Sequence, residues 1–416
     1  MIKTLKDNVS DKMPSKAIQH FVLIFALLAG TVVKLKFAFT TIGTNDVTTW
    51  AFFMNYIAEN GSVDIYKNIS HYNHPPLMSQ VLILFNILQH YVYNGFPFLI
   101  RLPAILADIG SCVLVYKLSN EYYDEKSAFF SVLIMSFSPI LIFVSGFHGN
   151  TDTVFMFLIT LATYYYLKRE GVILAAAILG LSLNIKIVPL ITLPAFFFFL
   201  RSWKEKTVFG AVLFTTFVIG YGYNALMDFN SLYRNVFSYS GQDGLWGIGQ
   251  FLRDQFGFQA AINYSLLGKL LIFSGTTISI FAISKFFHKF CRQEKREEKT
   301  IRGKFFLFAV SWTFLLFFVF TPGFGVQYLS WMVIPSIFLG QRGALFVNLV
   351  GGCFLFLVYT SWCGGLPWYY ADSSLGRWGG VTIDVAYILW IFLVLWMCQL
   401  IKTKILDPCN LLKERS

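Results

Sequence analysis

The chain of 416 residues is 56% hydrophobic and only 13% charged, and it holds 46 phenylalanines, far more apolar surface than a soluble core of this size needs to hide. Its net charge of +11 forms no basic stripe and no RNA-binding motif, so a nucleic-acid partner is excluded and the cations read as membrane topology. The six cysteines are scattered, with none arranged as C-x-x-C, which excludes both a disulfide framework and a zinc site.

Apolar runs recur along the whole chain with breaks too short for a soluble domain. They predict one all-α, polytopic integral membrane domain over residues 1–416, with the lipid bilayer as its solvent. The first run, Ile18 to Thr40, has no small-residue cleavage site behind it and carries Lys34 and Lys36 near its far end, which predicts a retained anchor. Further spans are expected at Pro97 to Leu118, Ser127 to Gly146, Thr153 to Leu167, a broken pair from Val172 to Leu200, Thr207 to Met227 and Tyr264 to Phe287. Phe305 to Phe320, Tyr328 to Leu339, Ala344 to Trp362 and Thr382 to Ile401 complete a set of about twelve.

With the N-terminus inside, most Lys and Arg fall on the cytoplasmic side, including the charged connector from His288 to Lys304. This agreement requires that the apolar run Pro75 to Tyr93 does not cross the membrane. The loops Thr41 to Phe96, Gly146 to Asp152, the turn at Lys186, Asp228 to Asn263, Thr321 to Gln327 and Gly364 to Gly380 then share the outer face.

Those loops hold the chemistry. In "GTNDVTTW", Thr44, Asn45 and Asp46 are all good N-caps for a helix starting at Val47; a carboxylate there also stays ionised and able to accept a proton. In "YNHPPL", Pro75 and Pro76 suit a first helical turn and force the preceding residue to be extended, which fixes the angle of His74; alternatively His71 and His74 are plain interfacial groups. Arg101 and Asp108 are charges in an apolar segment, two turns apart and too distant for an ideal pair, and Asp108 reads first as a structural partner. Lys186 interrupts "LSLNIKIVPL" ahead of Pro189, as in a discontinuous helix lining a polar cavity with an anion site. His148, Asn150 and Asp152 fit either a capped turn or a polar site, and Gln327 with Tyr328 fits either a helix start or a binding edge. There is no P-loop, no G-x-G-x-x-G after a strand, no H-E-x-x-H and no G-x-S-x-G, so nucleotide-driven chemistry has no seat.

In order, "TNDVTTWAFFMNYIAENGSVDIYKN", "YNHPPLM", "RLPAILAD", "GFHGNTD", "LNIKIVPL" and "GVQYLSW" resemble the GT-C superfamily of integral membrane glycosyltransferases that use polyprenyl-phosphate sugars. The nearer resemblance is to polyprenol-phosphate-mannose-dependent mannosyltransferases and to the catalytic subunit of the GPI mannosyltransferase I family. It implies juxtamembrane helices in the first outer loop, Asp46 at the catalytic centre, a catalytic module over residues 18–230, and C-terminal helices over 231–416 that complete a lipid-donor and acceptor cavity. Where many relatives have two acids this chain has Asn45, Asp46 and Val47, so neither a metal nor another cofactor is called for.

Attack of an acceptor hydroxyl on a sugar C1 with a phospholipid leaving group needs a base on one side and cations on the other. Asp46 supplies the first. His74, Arg101 and Lys186 supply the second, with His148, Asp152 and Gln327 completing the substrate-binding set. The expected reaction is transfer of a hexose, mannose foremost, to an outer-face or lumenal glycan, lipid or protein, with inversion. A polymerase or ligase with a lipid-diphosphate donor, and a transporter, are the alternatives.

Overall fold

The computed structural model describes residues 15–168, 171–238, 241–293, 298–375, 379–408 and 410–413. The chain opens with α1 (Lys16–Thr40), a two-residue strand β1 (Gly43–Thr44), α2 (Asn45–Asn60), α3 (Asp64–Asn68), α4 (Pro76–Leu88), α5 (Gly95–Leu99), α6 (Leu102–Tyr122) and α7 (Glu125–Ser136). α8 (Pro139–Leu141) runs into a π-helical turn, Ile142–His148, followed by α9 (Asp152–Tyr166), α10 (Val172–Leu183), a 3-10 turn (Val188–Thr192), α11 (Leu193–Phe199) and α12 (Trp203–Leu232). The second half holds α13 (Gly247–Phe256), α14 (Phe258–Gln293), α15 (Glu298–Phe320), α16 (Ser330–Leu339), α17 (Gln341–Trp362), strand β2 (Tyr370–Ala371), α18 (Val381–Leu400) and the short α19 (Asn410–Lys413). The protein is thus an all-α polytopic membrane protein.

Among the described residues, eight helical stretches are long and apolar enough to cross a bilayer: Lys16–Thr40, Gly95–Tyr122, Glu125–His148, Trp203–Phe237, Phe258–Phe290, Lys299–Phe320, Gln341–Trp362 and Val381–Ile405. Each of the remaining expected spans is a shorter helix: Asp152–Tyr166, Val172–Leu183, Val188–Phe199 and Val326–Leu339. These four begin or end beside Asp152, Lys186 or Gln327; the last two of these residues line a cavity described below, and Asp152 pairs with a residue that does. Broken backbone is tolerated there because the free carbonyls and amides do not face hydrocarbon. The expected connector from His288 to Lys304 is largely helical, since α14 runs to Gln293 and α15 starts at Glu298; positions 294–297 lie outside the described residues.

The segment expected not to cross is α4. Thirteen residues rise about 20 Å, short of the roughly 30 Å hydrocarbon core, and α4 packs on α2, α3's neighbour in the first loop. Pro75 is extended (ψ 155°) and Pro76 opens the helix, as the Pro-Pro pair dictates.

α15 and α16 form the buried centre, with nearly every apolar side chain from Phe305 to Val319 and from Trp331 to Leu339 buried. α12, α14 and α18 present large apolar side chains outward, among them Leu226, Leu266 and Leu395, as lipid-facing helices do. In the bundle, Lys34 of α1 pairs with Asp108 of α6 at 2.6 Å. The structural role read for Asp108 therefore has its partner on another helix, rather than at Arg101 two turns away.

Candidate active site

α2 begins at Asn45, two residues earlier than the sequence indicated, because Thr44 is its cap: the Thr44 hydroxyl accepts from the Asp46 amide at 3.3 Å. The same hydroxyl donates to the His148 carbonyl at 2.7 Å, which ties the helix start to the π-helical turn. With capping assigned to Thr44, the Asp46 carboxylate is free for other work. Its Oδ2 lies 3.0 Å from His148 Nε2 and accepts from Asn150 Nδ2 at 3.2 Å. Oδ1 has no hydrogen-bond partner among the described residues and belongs to the exposed part of a side chain that is 35% accessible, against 3% for His148. Behind them, Tyr359 of α17 places its hydroxyl 2.9 Å from His148 Nδ1.

Two glycines permit this contact. Gly149 adopts φ 81° directly after the π-turn, and a Cβ there would lie 2.2 Å from the Val47 side chain; Gly43, at φ 101°, would collide with Arg101 and the Phe147 carbonyl. The parallel pairing of Gly43 with Tyr370 and Thr44 with Ala371 then fastens the last loop to the first, and Asn45 Oδ1 accepts from the Ser373 amide at 3.1 Å.

Asp46 opens into a cavity of about 780 Å³ lined by residues from all six loops expected on one face, among them Asp46 and His74, His148, Lys186, Gln242, Gln327 and Ser373. Had α4 crossed the membrane, Asp46 before it and His148 after it could not meet. The volume is within the usual range for small-ligand sites. Burial acts to raise the Asp46 carboxyl, but His148 and the hydrogen bonds from His148 and Asn150 hold it below its ordinary 3.8, so it is an anion across the neutral range.

His74 lines the cavity, stacked on Trp50 with ring centroids 4.0 Å apart, and Tyr66 donates to its carbonyl at 2.6 Å. Burial, then the nearby Lys186 charge, push its imidazole down to about 3, so it is neutral where a phosphate ligand had been expected to find a cation.

Lys186 sits in the break between α10 and the 3-10 turn, as its sequence context required. Its Nζ is 2.5 Å from Asp152 Oδ1 and 5.0 Å from the ring centroids of both Tyr328 and Trp331, which stack on each other. Asp152, expected in the substrate-binding set, is fully buried, is not among the residues lining the cavity and pairs with Lys186. Arg101 is also removed from the cavity. Its guanidinium donates to the carbonyls of Phe37, Thr41 and Ile42 and to the Thr41 hydroxyl, locking the end of α1 against the start of α6. The physical reason is that α1 ends there with open carbonyls, which a buried fork of donors satisfies. Gln327 does line the cavity, on a 3-10 turn ahead of α16.

Sequence reasoning passed over Tyr359, Arg253 and Lys269. The last two, with Lys186, are the Lys and Arg side chains that line the cavity among the described residues. Tyr359 had no signal, being one aromatic in an apolar span; Lys269 had one, a lone charge in the run from Tyr264 to Phe287. Among the described residues no group of three or more His, Cys, Asp or Glu converges.

A family model described as dolichyl-phosphate-mannose-protein mannosyltransferase matches residues 73–221. That stretch contains His74, Arg101, His148, Asp152 and Lys186 and leaves Asp46 and Gln327 outside. The chain is 29% identical over 133 residues to GPI mannosyltransferase 1 of Candida albicans, covering 32% of this chain and 32% of that protein. It is 24% identical over 200 residues to the putative mannosyltransferase YycA of Bacillus subtilis, covering 42% of this chain and 28% of that protein. The matches thus span about a third of these curated relatives. Among solved structures, the oligosaccharyltransferase of Archaeoglobus fulgidus aligns with a TM-score of 0.40 at 10% identity, covering 90% of this chain and 56% of that one. The resemblance to GT-C membrane mannosyltransferases read from the motifs is borne out by the family model and the curated relatives.

Proposed function

We propose that the chain is a membrane glycosyltransferase that moves a hexose, mannose foremost, from a polyprenyl-phosphate donor to an acceptor hydroxyl at the outer or lumenal face. The observation that carries this reading is the Asp46 carboxylate: one oxygen saturated by His148 and Asn150, the other open to a large cavity gathered from loops along the whole chain. In the proposed step the acceptor oxygen attacks the sugar C1 while the bond from C1 to the phosphate oxygen breaks. The acceptor proton passes to Asp46 Oδ1, and the electron pair leaves with the polyprenyl phosphate. A single displacement inverts the anomeric centre.

The leaving phosphate is assigned to the cationic side of the cavity. Lys186 lines it with Gln327, its charge balanced by Asp152, and Lys269 and Arg253 line the same cavity, so a phosphate there meets three cationic side chains. Lys269 lies on α14 beside Leu266 and Leu270, which are 69% and 55% exposed, so an anionic head at Lys269 leaves an apolar tail running into the bilayer. A donor carried on a lipid also accords with a chain that has no nucleotide-binding motif.

The test is incubation of the purified protein with a short-chain polyprenyl-phosphate mannose and candidate glycan, lipid and peptide acceptors. The expected products are free polyprenyl phosphate and a mannosylated acceptor whose anomeric configuration is opposite to the donor's. Movement of a labelled substrate across vesicles with no covalent product would instead identify a transporter, and consumption only of a lipid-diphosphate donor would identify a polymerase or ligase.

A further inference from the structure

Tyr359 lies on α17, 211 residues beyond His148, and its side chain is completely buried. A buried hydroxyl needs an acceptor for its proton, and among the described residues this one has a single partner, His148 Nδ1 at 2.9 Å. If Nδ1 carried a hydrogen, the Tyr359 proton would be stranded in an apolar wall formed by Phe147 and Trp368. The hydroxyl must therefore donate, which leaves Nδ1 unprotonated and places the ring hydrogen on Nε2, 3.0 Å from Asp46 Oδ2.

We propose that Tyr359 is a positioning residue of the active site: it selects the His148 tautomer with hydrogen on Nε2, so that His148 always donates to Asp46 Oδ2 and leaves Oδ1 as the only oxygen able to take the acceptor proton. This rests on the reading of Asp46 as the base. With the other tautomer, Nε2 would turn a lone pair toward the carboxylate. Repulsion would then rotate either the ring or Asp46, and the carboxylate would meet the acceptor hydroxyl with an undefined oxygen. Thr44 and Asn150 complete the frame, the first holding the His148 carbonyl and the second sharing Oδ2.

Substitution at two positions separates this role from packing. Gln at 148 offers an amide nitrogen at about the place of Nε2 and has no tautomers, so the His148→Gln protein no longer needs selection. Tyr359→Phe should lower kcat about fivefold to tenfold in the parent protein, with the donor KM unchanged, the size expected for loss of one orienting hydrogen bond. In the His148→Gln background the same substitution should cost less than about twofold. An equal loss in both backgrounds, or none in the parent, overturns the proposal. A second measurement needs no turnover. In protein labelled with nitrogen-15 histidine, the resonances that vanish in His148→Gln should report hydrogen on Nε2 and an unprotonated Nδ1. Finding hydrogen on Nδ1 in the parent protein refutes Tyr359 as a donor even if no reaction is ever observed, whereas the predicted tautomer in a protein that transfers no sugar would count against Asp46 as a base alone.

Discussion

Lys186→Met would strip Asp152 of its counter-ion. Asp152 is fully buried, its Oδ1 is 2.5 Å from Lys186 Nζ, and its Oδ2 has no hydrogen-bond partner among the described residues, so the substitution leaves a buried carboxylate without its paired cation. Breaking one side of such a pair costs about 3–5 kcal/mol, and the contacts of the ammonium over Tyr328 and Trp331 add about 0.5–1 kcal/mol each. Combining Lys186→Met with Asp152→Asn removes the stranded charge, and most of the lost stability should return. The double variant then reports on chemistry without the confounding effect of unfolding. If the Lys186 ammonium helps hold the leaving phosphate, losing a charge-assisted hydrogen bond worth about 1.5–3 kcal/mol slows turnover roughly 10- to 150-fold in a protein that melts near the parent temperature. Thermal unfolding and single-turnover transfer from a polyprenyl-phosphate mannose, measured in the same detergent, decide the matter. A double variant that is both stable and fully active would make Lys186 a structural ion and move the phosphate wholly to Lys269 and Arg253.

Asp46→Asn keeps an oxygen for His148 and Asn150, and Thr44 still caps α2, so folding should persist while turnover falls by roughly a hundredfold or more; near-parental rates would end the assignment of Asp46 as a base. His74 is held neutral in the folded protein down to about pH 3, whereas an unfolded histidine protonates near 6.5. The unfolded state therefore binds the extra proton between those values, and stability should fall as pH drops through that window. Comparing the parent with His74→Gln by thermal unfolding from pH 7.5 to pH 4 should show the slope in the parent alone, and parallel curves would contradict it. Single cysteines at Gln242, on the cavity rim, and at Asn120, near the end of α6, should label from opposite sides of sealed vesicles; labelling from the same side would break the proposed topology.

The membrane class, the positions of the spans and the breaks within them are local properties, and the sequence by itself determined them. Run length decides what can cross, Pro75 and Pro76 decide where α4 starts, and an isolated Lys186 ahead of Pro189 decides where α10 must stop. Even the non-crossing of α4 followed from counting charges on alternate loops. The tertiary structure decided which polar groups meet. Thr44, Asn45 and Asp46 are equivalent caps when read locally; Thr44 took the role because its hydroxyl also reaches the His148 carbonyl, 104 residues away. Arg101 looked like an anion ligand until the end of α1 offered it several carbonyls, and Lys34, read only as a sign of a retained anchor, pairs with Asp108 across 74 residues. Asp46 with His148, and His148 with Tyr359, join positions 102 and 211 residues apart. No periodicity encodes such pairs, because a charge or hydroxyl in a membrane protein has only to find some partner, and which one it finds depends on how the helices pack.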